Sequence, residues 1–140
     1  MLFSAKAEYA CLAMLELAAR HGEPKPLRLV DIALVHNIPQ RFLVQILLQL
    51  KGAGLIASTR GAAGGYALTR SPEAISLAHV LDVVDRSSPA QGKVRGGDTS
   101  PIAGALHGVW HELLRTRRAT LESTTLAALV EAGQGAQYVI

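Results

Sequence analysis

The fold is decided by residues 39–51, PQRFLVQILLQLK, and by the glycine-rich residues 59–65, TRGAAGG, that follow them. In the first stretch, apolar side chains recur at spacings of one, three and four residues, which gathers them on one face of an α-helix. We predict a helix from Pro39 to Lys51 with this face buried. The residues predicted to be buried are Phe42, Leu43, Ile46, Leu47 and Leu50.

The opposite face of this helix carries amide, guanidinium and apolar groups instead of the usual glutamates and lysines. Arginine suits guanine O6 and N7, glutamine suits adenine N6 and N7, and an exposed valine or leucine packs on a thymine methyl group. We therefore expect this face to read base edges, with an ordinary surface helix as the alternative. The predicted DNA-binding residues of the helix are Gln40, Arg41, Val44, Gln45, Leu48 and Lys51.

Two short β-prone runs, residues 55–58 and 66–69, flank the glycine-rich segment and predict a β-hairpin. Its glycines permit positive φ and let the backbone approach another surface closely. This fits a wing that contacts a phosphate backbone or a minor groove, through Arg60, Gly61, Gly64 and Gly65. A nucleotide-phosphate loop is disfavoured, because the segment lacks the spacing and the lysine of that motif.

Charge is distributed unevenly along the 140 residues, whose formal net charge is +3. Residues 1–70 carry 8 basic and 4 acidic side chains, whereas residues 71–140 carry 6 and 7. No acidic residue lies between Asp31 and Glu73, so a polyanion would meet no carboxylate there. The predicted partner is double-stranded DNA.

Composition indicates one globular domain, since 49 % of the residues are hydrophobic, enough to build a core. The single cysteine, Cys11, excludes an intrachain disulfide and suggests a reducing cytoplasm. We expect Cys11 to be a small hydrophobe on the buried face of the first helix, rather than a redox site. No apolar run approaches the roughly 18 residues of a membrane span, and no signal peptide is expected.

Capping signals place the remaining helices of the first part of the chain. Ser4 is a plausible N-cap of a first helix that runs to Arg20. A short helix beginning near Leu29 precedes Pro39, which completes a helix-turn-helix. Ser76 then caps a further helix, whose inward side chains are predicted to be Leu77, Val80, Leu81 and Val84.

The end of the chain predicts a flexible loop over residues 86–100 and then a long helix, opened by Ser100 and Pro101 and ending near Glu122. The apolar stripe of this helix would be exposed in a monomer, so a partner helix and a homodimer are expected. The stripe residues are Ile102, Leu106, Val109, Trp110, Leu113 and Leu114. Thr125 caps a last short helix, to Glu131. The predicted division is residues 1–85 for DNA binding, 86–100 as loop and 101–140 for dimerisation.

Six motifs over nearly the whole chain resemble one known family. They are SAKxEYA from residue 4, LxxIA from 29, FLxQxLxxL from 42, GLIxS from 54, RGxxGGY from 60 and LxxL from 126. Together they are similar to the Rrf-type (IscR-like) family of winged helix-turn-helix regulators. The resemblance implies a mostly α fold with a two-stranded β wing and a long C-terminal dimerisation helix. It also implies a homodimeric, sequence-specific transcription factor, commonly a repressor. Relatives often have glutamate at the position of Val44, so the resemblance does not imply that this chain binds the same operator sequence.

Many members of that family hold an iron-sulfur cluster with three cysteines of the loop and a nearby histidine. Here Gly92, Asp98 and Gly104 lie near the expected cysteine positions, while His107 matches the histidine. The chain thus resembles a cysteine-poor branch that answers to a small-molecule effector or a partner protein. No metal and no cofactor are expected.

His107 and His111 have the i, i+4 spacing of a metal-binding pair. Two ligands supply only half of a metal site, so we interpret them as ordinary helix histidines. Glu112 follows the second histidine, so the zinc-protease motif is not formed. No catalytic constellation is seen, and an enzyme is not expected. The predicted function is transcriptional regulation through DNA; the alternative is a winged helix that serves as a protein-interaction module.

Overall fold

The computed structural model describes residues 3–85 and 100–136, so the predicted loop lies outside the described residues except for Ser100. The described residues form six α-helices, one antiparallel pair of strands and a short 3-10 turn, Pro72–Ala74. The helices and strands are α1 Ala5–Ala19, α2 Leu29–His36, α3 Gln40–Gly52, β1 Ile56–Thr59, β2 Gly65–Leu68, α4 Leu77–Val84, α5 Pro101–Ser123 and α6 Leu126–Ala136. The predicted mostly α winged helix with a two-stranded wing is confirmed.

Helix α1 is the centre of the fold and contacts α2, α3, α4 and α6. It begins as predicted, because the Ser4 hydroxyl accepts a hydrogen bond from the Ala7 N–H at 3.1 Å. Alanines on its buried side let neighbouring helices approach closely; its buried residues are Ala7, Ala10, Ala13, Met14, Leu17 and Ala18. Cys11 lies at the edge of this side and is only half-buried, which corrects its predicted place on the buried face.

The helix-turn-helix consists of α2 and α3, joined by a tight turn at Asn37. Asn37 adopts the left-handed conformation, with φ of 53°, and asparagine tolerates this region better than most residues. The Ile38 N–H then donates to the Ala33 carbonyl at 3.0 Å. His36 Nε2 lies 2.9 Å from a carboxylate oxygen of Glu16, which ties α2 to α1.

The inner face of α3 was predicted correctly for four of its five residues: Leu43, Ile46, Leu47 and Leu50 are each at most 1 % exposed. Phe42 is the error, since it is 47 % exposed. Its position at the edge of the face leaves it outside the core, and the Arg41 guanidinium covers its ring instead, 4.9 Å from the ring centroid.

The wing is a hairpin in which Ile56 pairs with Leu68 and Thr59 with Gly65. Its strands are displaced from the predicted ones by one residue. The hairpin is anchored to the loop before α2 by two backbone hydrogen bonds between Leu27 and Tyr66, of 3.0 and 2.8 Å. The wing therefore has a fixed orientation relative to α3.

The last helix, α6, is part of the core and runs five residues beyond the predicted Glu131. Leu126 is completely buried, and its N–H donates to the Ile75 carbonyl at 2.9 Å. In return the Leu77 N–H donates to the Thr124 carbonyl, also at 2.9 Å. These two bonds join the start of α4 to the junction of α5 and α6, while α6 packs on α1.

Helix α5 begins where predicted, with the Ser100 hydroxyl accepting from the Ala103 N–H, and ends at Ser123. Its 23 residues span about 35 Å. None of its residues is buried. In the described parts of the chain, no helix is long and apolar enough to cross a membrane.

Candidate nucleic-acid interface and dimerisation surface

The outward face of α3 presents the predicted base-reading residues together. Gln40, Arg41, Val44, Gln45 and Leu48 are all exposed. Val44 is 44 % and Leu48 is 62 % exposed, although the inner face of the same helix is sealed in the core. This combination fixes the helix rigidly and leaves amide, guanidinium and apolar groups open on one side, as recognition of a major groove requires.

The cations of this surface are not neutralised by any residue that the structure describes. Arg41 and Lys51 on α3 and Arg60 in the wing are exposed and form no ion pair with any described residue. The nearest preceding carboxylate in the sequence, Asp31, is held by Arg28 at 3.3 Å. The helix and wing therefore form a positive surface that is free to meet phosphate groups.

The wing glycines divide into two kinds. Gly61 is exposed with φ of 104°, a conformation that side chains rarely adopt, and it lies next to Arg60 at the tip. Gly64 is buried, and a Cβ there would collide with the Thr59 carbonyl oxygen. A Cβ on Gly65 would lie 2.7 Å from the Leu27 carbonyl oxygen. Close approach at these two positions is to the chain's own backbone, and their predicted contact with DNA stays a prediction.

A second surface runs along α5 and consists of the six predicted stripe residues. They are exposed by 38 % to 84 %, with Leu114 the least and Ile102 the most exposed. The only tryptophan of the chain, Trp110, is 49 % exposed at the middle of the stripe. A continuous exposed apolar face along a helix marks a binding surface.

The C-terminal half of α5 is held to the body by contacts that the sequence analysis missed. Arg118 donates two hydrogen bonds to the Asp82 carboxylate on α4, of 2.6 and 2.9 Å, and one to Glu122 at 2.6 Å. The bonds from Arg118 hold the pKa of Asp82 below its usual value. Arg117 lies over the Phe3 ring at 4.8 Å from its centroid. The pairs Arg118 with Asp82 and Arg117 with Phe3 are far apart in sequence and leave no local signal.

A hollow of about 310 Å³ between α1, α4, α5 and α6 was also missed. Its walls are almost entirely apolar, with the Cys11 thiol and the Glu8 side chain as exceptions. Burial, and secondarily the Glu8 carboxylate, raises the pKa of Cys11 to about 11. The thiol is therefore almost fully protonated at neutral pH and is a poor nucleophile and a poor metal ligand.

His107 and His111 lie on consecutive turns of α5, half-buried and exposed respectively. Among the described residues, no three histidine, cysteine, aspartate or glutamate side chains are grouped so that they could hold a metal ion.

The second helix of the helix-turn-helix is exposed and basic on its outward face, and a glycine-rich wing with Arg60 at its tip follows it. These features define the winged helix-turn-helix class of DNA-binding regulators. Within that class, the chain belongs to the Rrf2 family, described as an iron-dependent transcriptional regulator, which it matches over residues 3–132. The family resemblance in the sequence is thereby confirmed. The family and the relatives are transcriptional regulators and not enzymes.

Two curated relatives illustrate the similarity. The HTH-type transcriptional regulator CymR of Bacillus subtilis is 34 % identical over 143 residues, covering 98 % of this chain and 95 % of the relative. The HTH-type transcriptional regulator IscR of Yersinia enterocolitica is 36 % identical over 135 residues, covering 93 % of this chain and 79 % of the relative.

Solved structures agree with this assignment. The structure of CymR, the global cysteine regulator of B. subtilis, superposes with a TM-score of 0.82 at 34 % identity, covering 93 % of this chain and 96 % of that one. The IscR structure from T. potens gives 0.79 at 32 % identity, covering 96 % and 90 %.

The family description raises the question of whether this chain could hold iron. An iron-sulfur cluster takes roughly four ligands, mainly thiolates. The chain has one thiol, which burial keeps protonated, and residues 86–99 contain neither cysteine nor histidine. These residues do not fit such a cluster.

Proposed function

We propose that the protein is a sequence-specific transcriptional repressor that binds a pseudo-palindromic operator as a cytoplasmic homodimer. The observation that carries the proposal is the outward face of α3, where Gln45 and Arg41 are exposed beside Val44 and Leu48. Two amide or guanidinium groups next to two apolar groups match the donor, acceptor and methyl pattern of a major groove. Surface helices kept only for solubility carry charges of both signs instead.

Each contact then has a distinct role. Gln45 and Arg41 specify bases, because bidentate pairing depends on base identity. Lys51 and Arg60 position the protein, because contacts to phosphate are independent of sequence. Gly61 lets the wing tip approach the backbone. The division into residues 1–85 for DNA binding and 101–140 for dimerisation is retained, with α6 also contributing Leu126 to the core of the first unit.

A homodimer formed through α5 would have the twofold symmetry that a pseudo-palindromic operator requires. The stripe from Ile102 to Leu114 lies on a helix without buried residues, and a second copy offers the same stripe. Self-complementary pairing of this kind is characteristic of twofold dimers. Two recognition helices related by a twofold axis read two inverted half-sites.

The effector is proposed to be a small molecule, a redox signal or a partner protein instead of an iron-sulfur cluster. Anaerobic purification from iron-replete cells, with iron and acid-labile sulfide analysis and a visible spectrum, tests this. We expect neither component at stoichiometric level and DNA binding that persists without iron. Stoichiometric iron with sulfide would contradict the proposal and would point to a ligand set including Cys11 or Glu8.

A second candidate, a protein-interaction module, is favoured by one observation: Leu34 and Val35 on α2 are 74 % and 56 % exposed. Genome-wide mapping of binding sites in living cells separates the two candidates. Wild type is compared with a Gln45→Ala, Leu48→Ala double variant, which changes the recognition face without touching the core. The repressor predicts discrete sites with a shared inverted motif that the double variant loses. An interaction module predicts no shared motif and no effect of the variant.

A further inference from the structure

Helix α3 has one aromatic side chain, and this side chain contacts a candidate base-reading group. Phe42 is 47 % exposed, and the guanidinium carbon of Arg41 lies 4.9 Å from the centroid of its ring. This distance is within the range of a cation–π contact. Arg41 forms no ion pair with any described residue. An aromatic ring, and not a carboxylate of the described chain, therefore holds its charged end.

We propose that Phe42 is a positioning residue for Arg41, and that the stacked pair determines how strongly the guanidinium selects its base. The inference rests on the DNA-binding role of α3 in the proposed function and adds a specificity-determining residue to it. Phe42 itself needs no contact with DNA for this role. It acts by restricting the conformations of the arginine before the operator is bound, so that less conformational freedom is lost on binding.

The geometry of stacking suits an arginine that reads a base. Stacking occupies the flat face of the guanidinium and leaves its N–H groups, which lie in the plane, free to donate. Guanine O6 and N7 accept two hydrogen bonds from one arginine. A carboxylate partner would occupy these donors instead, as Asp82 does when it accepts two bonds from Arg118. Phe42 thus restrains Arg41 without using the donors that base recognition needs.

The place of Phe42 on the helix agrees with this role. At about 100° per residue, Phe42 lies at the margin of the open face, next to Gln45 and on the far side from Val44. Arg41 and Gln45 are one helical turn apart and are neighbours on the surface. Holding the guanidinium at this margin therefore sets its position relative to the Gln45 amide.

An alternative role for such a stack is to shield an apolar ring from water. The chain has two phenylalanines, and Arg117 covers the other one, Phe3, at 4.8 Å. Phe3 packs against the core, so its arginine completes a buried surface. Phe42 is exposed beside the base-reading face, where shielding gains little. Shielding predicts that replacing Phe42 leaves base preference unchanged, whereas positioning predicts a change at one base pair.

The test measures base preference, which a merely structural residue would not change. The wild-type protein selects an operator duplex from random sequences, and each base pair of it is then replaced in turn. Fluorescence anisotropy gives the dissociation constants, and Arg41→Ala identifies the base pair that Arg41 reads. At that base pair, Phe42→Leu and Phe42→Met should each lower the preference about two- to fivefold, because they keep an apolar side chain but remove the ring.

Three further proteins are matched controls. Phe42→Tyr keeps an aromatic ring and should retain the wild-type preference. In an Arg41→Ala background, Phe42→Leu should change the preference at this base pair no further, because the guanidinium that it positions is absent. Phe3→Leu removes the corresponding stack outside the interface and should leave every base preference unchanged. Thermal unfolding followed by circular dichroism should show that the Phe42 variants fold, as expected for an exposed position.

Wild-type preference in Phe42→Leu and Phe42→Met, or an affinity loss equal at all base pairs, would overturn the positioning role. An equal loss of preference in Phe42→Tyr would overturn it as well, and so would variants that fail to fold, since these would assign Phe42 to the core. If Arg41→Ala keeps the wild-type preference throughout, this inference fails together with the role of Arg41, whereas sequence-specific binding through Gln45 stands. A wild-type protein that selects no operator contradicts the proposed function itself.

Discussion

Helices α3 and α5 have the same kind of sequence pattern, but their apolar faces differ in exposure. Both carry an apolar stripe at helical spacing, but the stripe of α3 is sealed in the core, whereas α5 has no buried residue. Helix α3 lies among α1, α2, α4 and β1, while α5 touches the body through its C-terminal half, where Arg118 meets Asp82. An amphipathic pattern therefore indicates that a helix has a face suited to burial. Whether residues of the same chain bury that face depends on the elements that pack around the helix.

A second difference concerns the uncovered faces. On α3 the open side mixes amides, guanidinium and two apolar groups, and the surrounding chain from residue 32 to residue 72 contains no carboxylate. On α5 the open stripe is purely apolar and is bordered by ion pairs such as Glu112 with Arg115. The first composition suits a polyanion with readable edges, and the second suits another copy of the same helix.

The largest effect is expected inside α3, at two neighbouring leucines. Leu47 is fully buried and Leu48 is 62 % exposed. Leu47→Ala should lower the free energy of unfolding by about 2 to 5 kcal/mol, because it leaves a cavity in the core. Leu48→Ala should change it by less than about 0.5 kcal/mol and weaken operator binding instead. Urea unfolding of both variants measures the difference, and equal losses would show that the two sides of α3 are not distinct.

On α5 the comparison predicts loss of assembly without loss of folding. Trp110→Glu places a carboxylate in the middle of the stripe and should weaken dimerisation by about 2 kcal/mol or more. Ala119→Glu, nine residues later, lies on the opposite side of the helix and is exposed. Light scattering over a dilution series, with circular dichroism for helix content, tests both variants. The same dissociation constant for both would remove the stripe from the interface.

Substitutions in α3 and in the wing are expected to affect DNA binding differently. Gln45→Ala should cost roughly 1 to 3 kcal/mol at one base pair and little on other sequences. Arg60→Ala should weaken binding on all sequences alike and reduce the salt slope by about one. Fluorescence anisotropy on operator and scrambled duplexes at several salt concentrations gives both quantities. A uniform loss for Gln45→Ala, or an unchanged slope for Arg60→Ala, would contradict these roles.

The smallest effect concerns the joint between α4 and α5. Because the pKa of Asp82 is lowered by its bonds from Arg118, its carboxylate stabilises the fold above the ordinary aspartate pKa, and this contribution is lost as the pH falls through the lowered value. Asp82 is an exposed surface residue, so Asp82→Asn should cost less than about 1 kcal/mol at pH 7. The difference from wild type should shrink as the pH falls through the lowered pKa of Asp82. A difference independent of pH would exclude the ion pair as its cause.

Local signals predicted most of the fold. Ser4, Ser76 and Ser100 were identified as N-caps from the sequence, and each accepts the expected backbone hydrogen bond. The strand pair followed from β-prone runs around glycines. Such features depend on residues within a few positions of each other, which a sequence displays directly.

What could not be predicted depends on residues distant in sequence. Phe42 fits the apolar period of α3, yet no neighbouring element covers it. Helix α6 was expected to end at Glu131, whereas packing of Leu126 in the core and contact with α1 sustain it to Ala136. The hollow beside Cys11 arises only where α1, α4, α5 and α6 meet, and the bonds from Arg118 to Asp82 arise only where α5 meets α4. The exposed residues of the candidate interface on α3, in contrast, could all be proposed from the helical period alone.

The central claim, reading of a symmetric operator by two copies of α3, is tested most directly by selection from a pool of random duplexes. Purified protein is incubated with the pool at near-physiological salt, and bound duplexes are amplified and sequenced over several rounds. We predict enrichment of one inverted repeat, with half-site centres separated by about 10 base pairs or a multiple of that distance. The Gln45→Ala protein should select a repeat that is relaxed at the same position of each half-site. A pool that remains random, or a single half-site without a symmetric partner, would contradict the account.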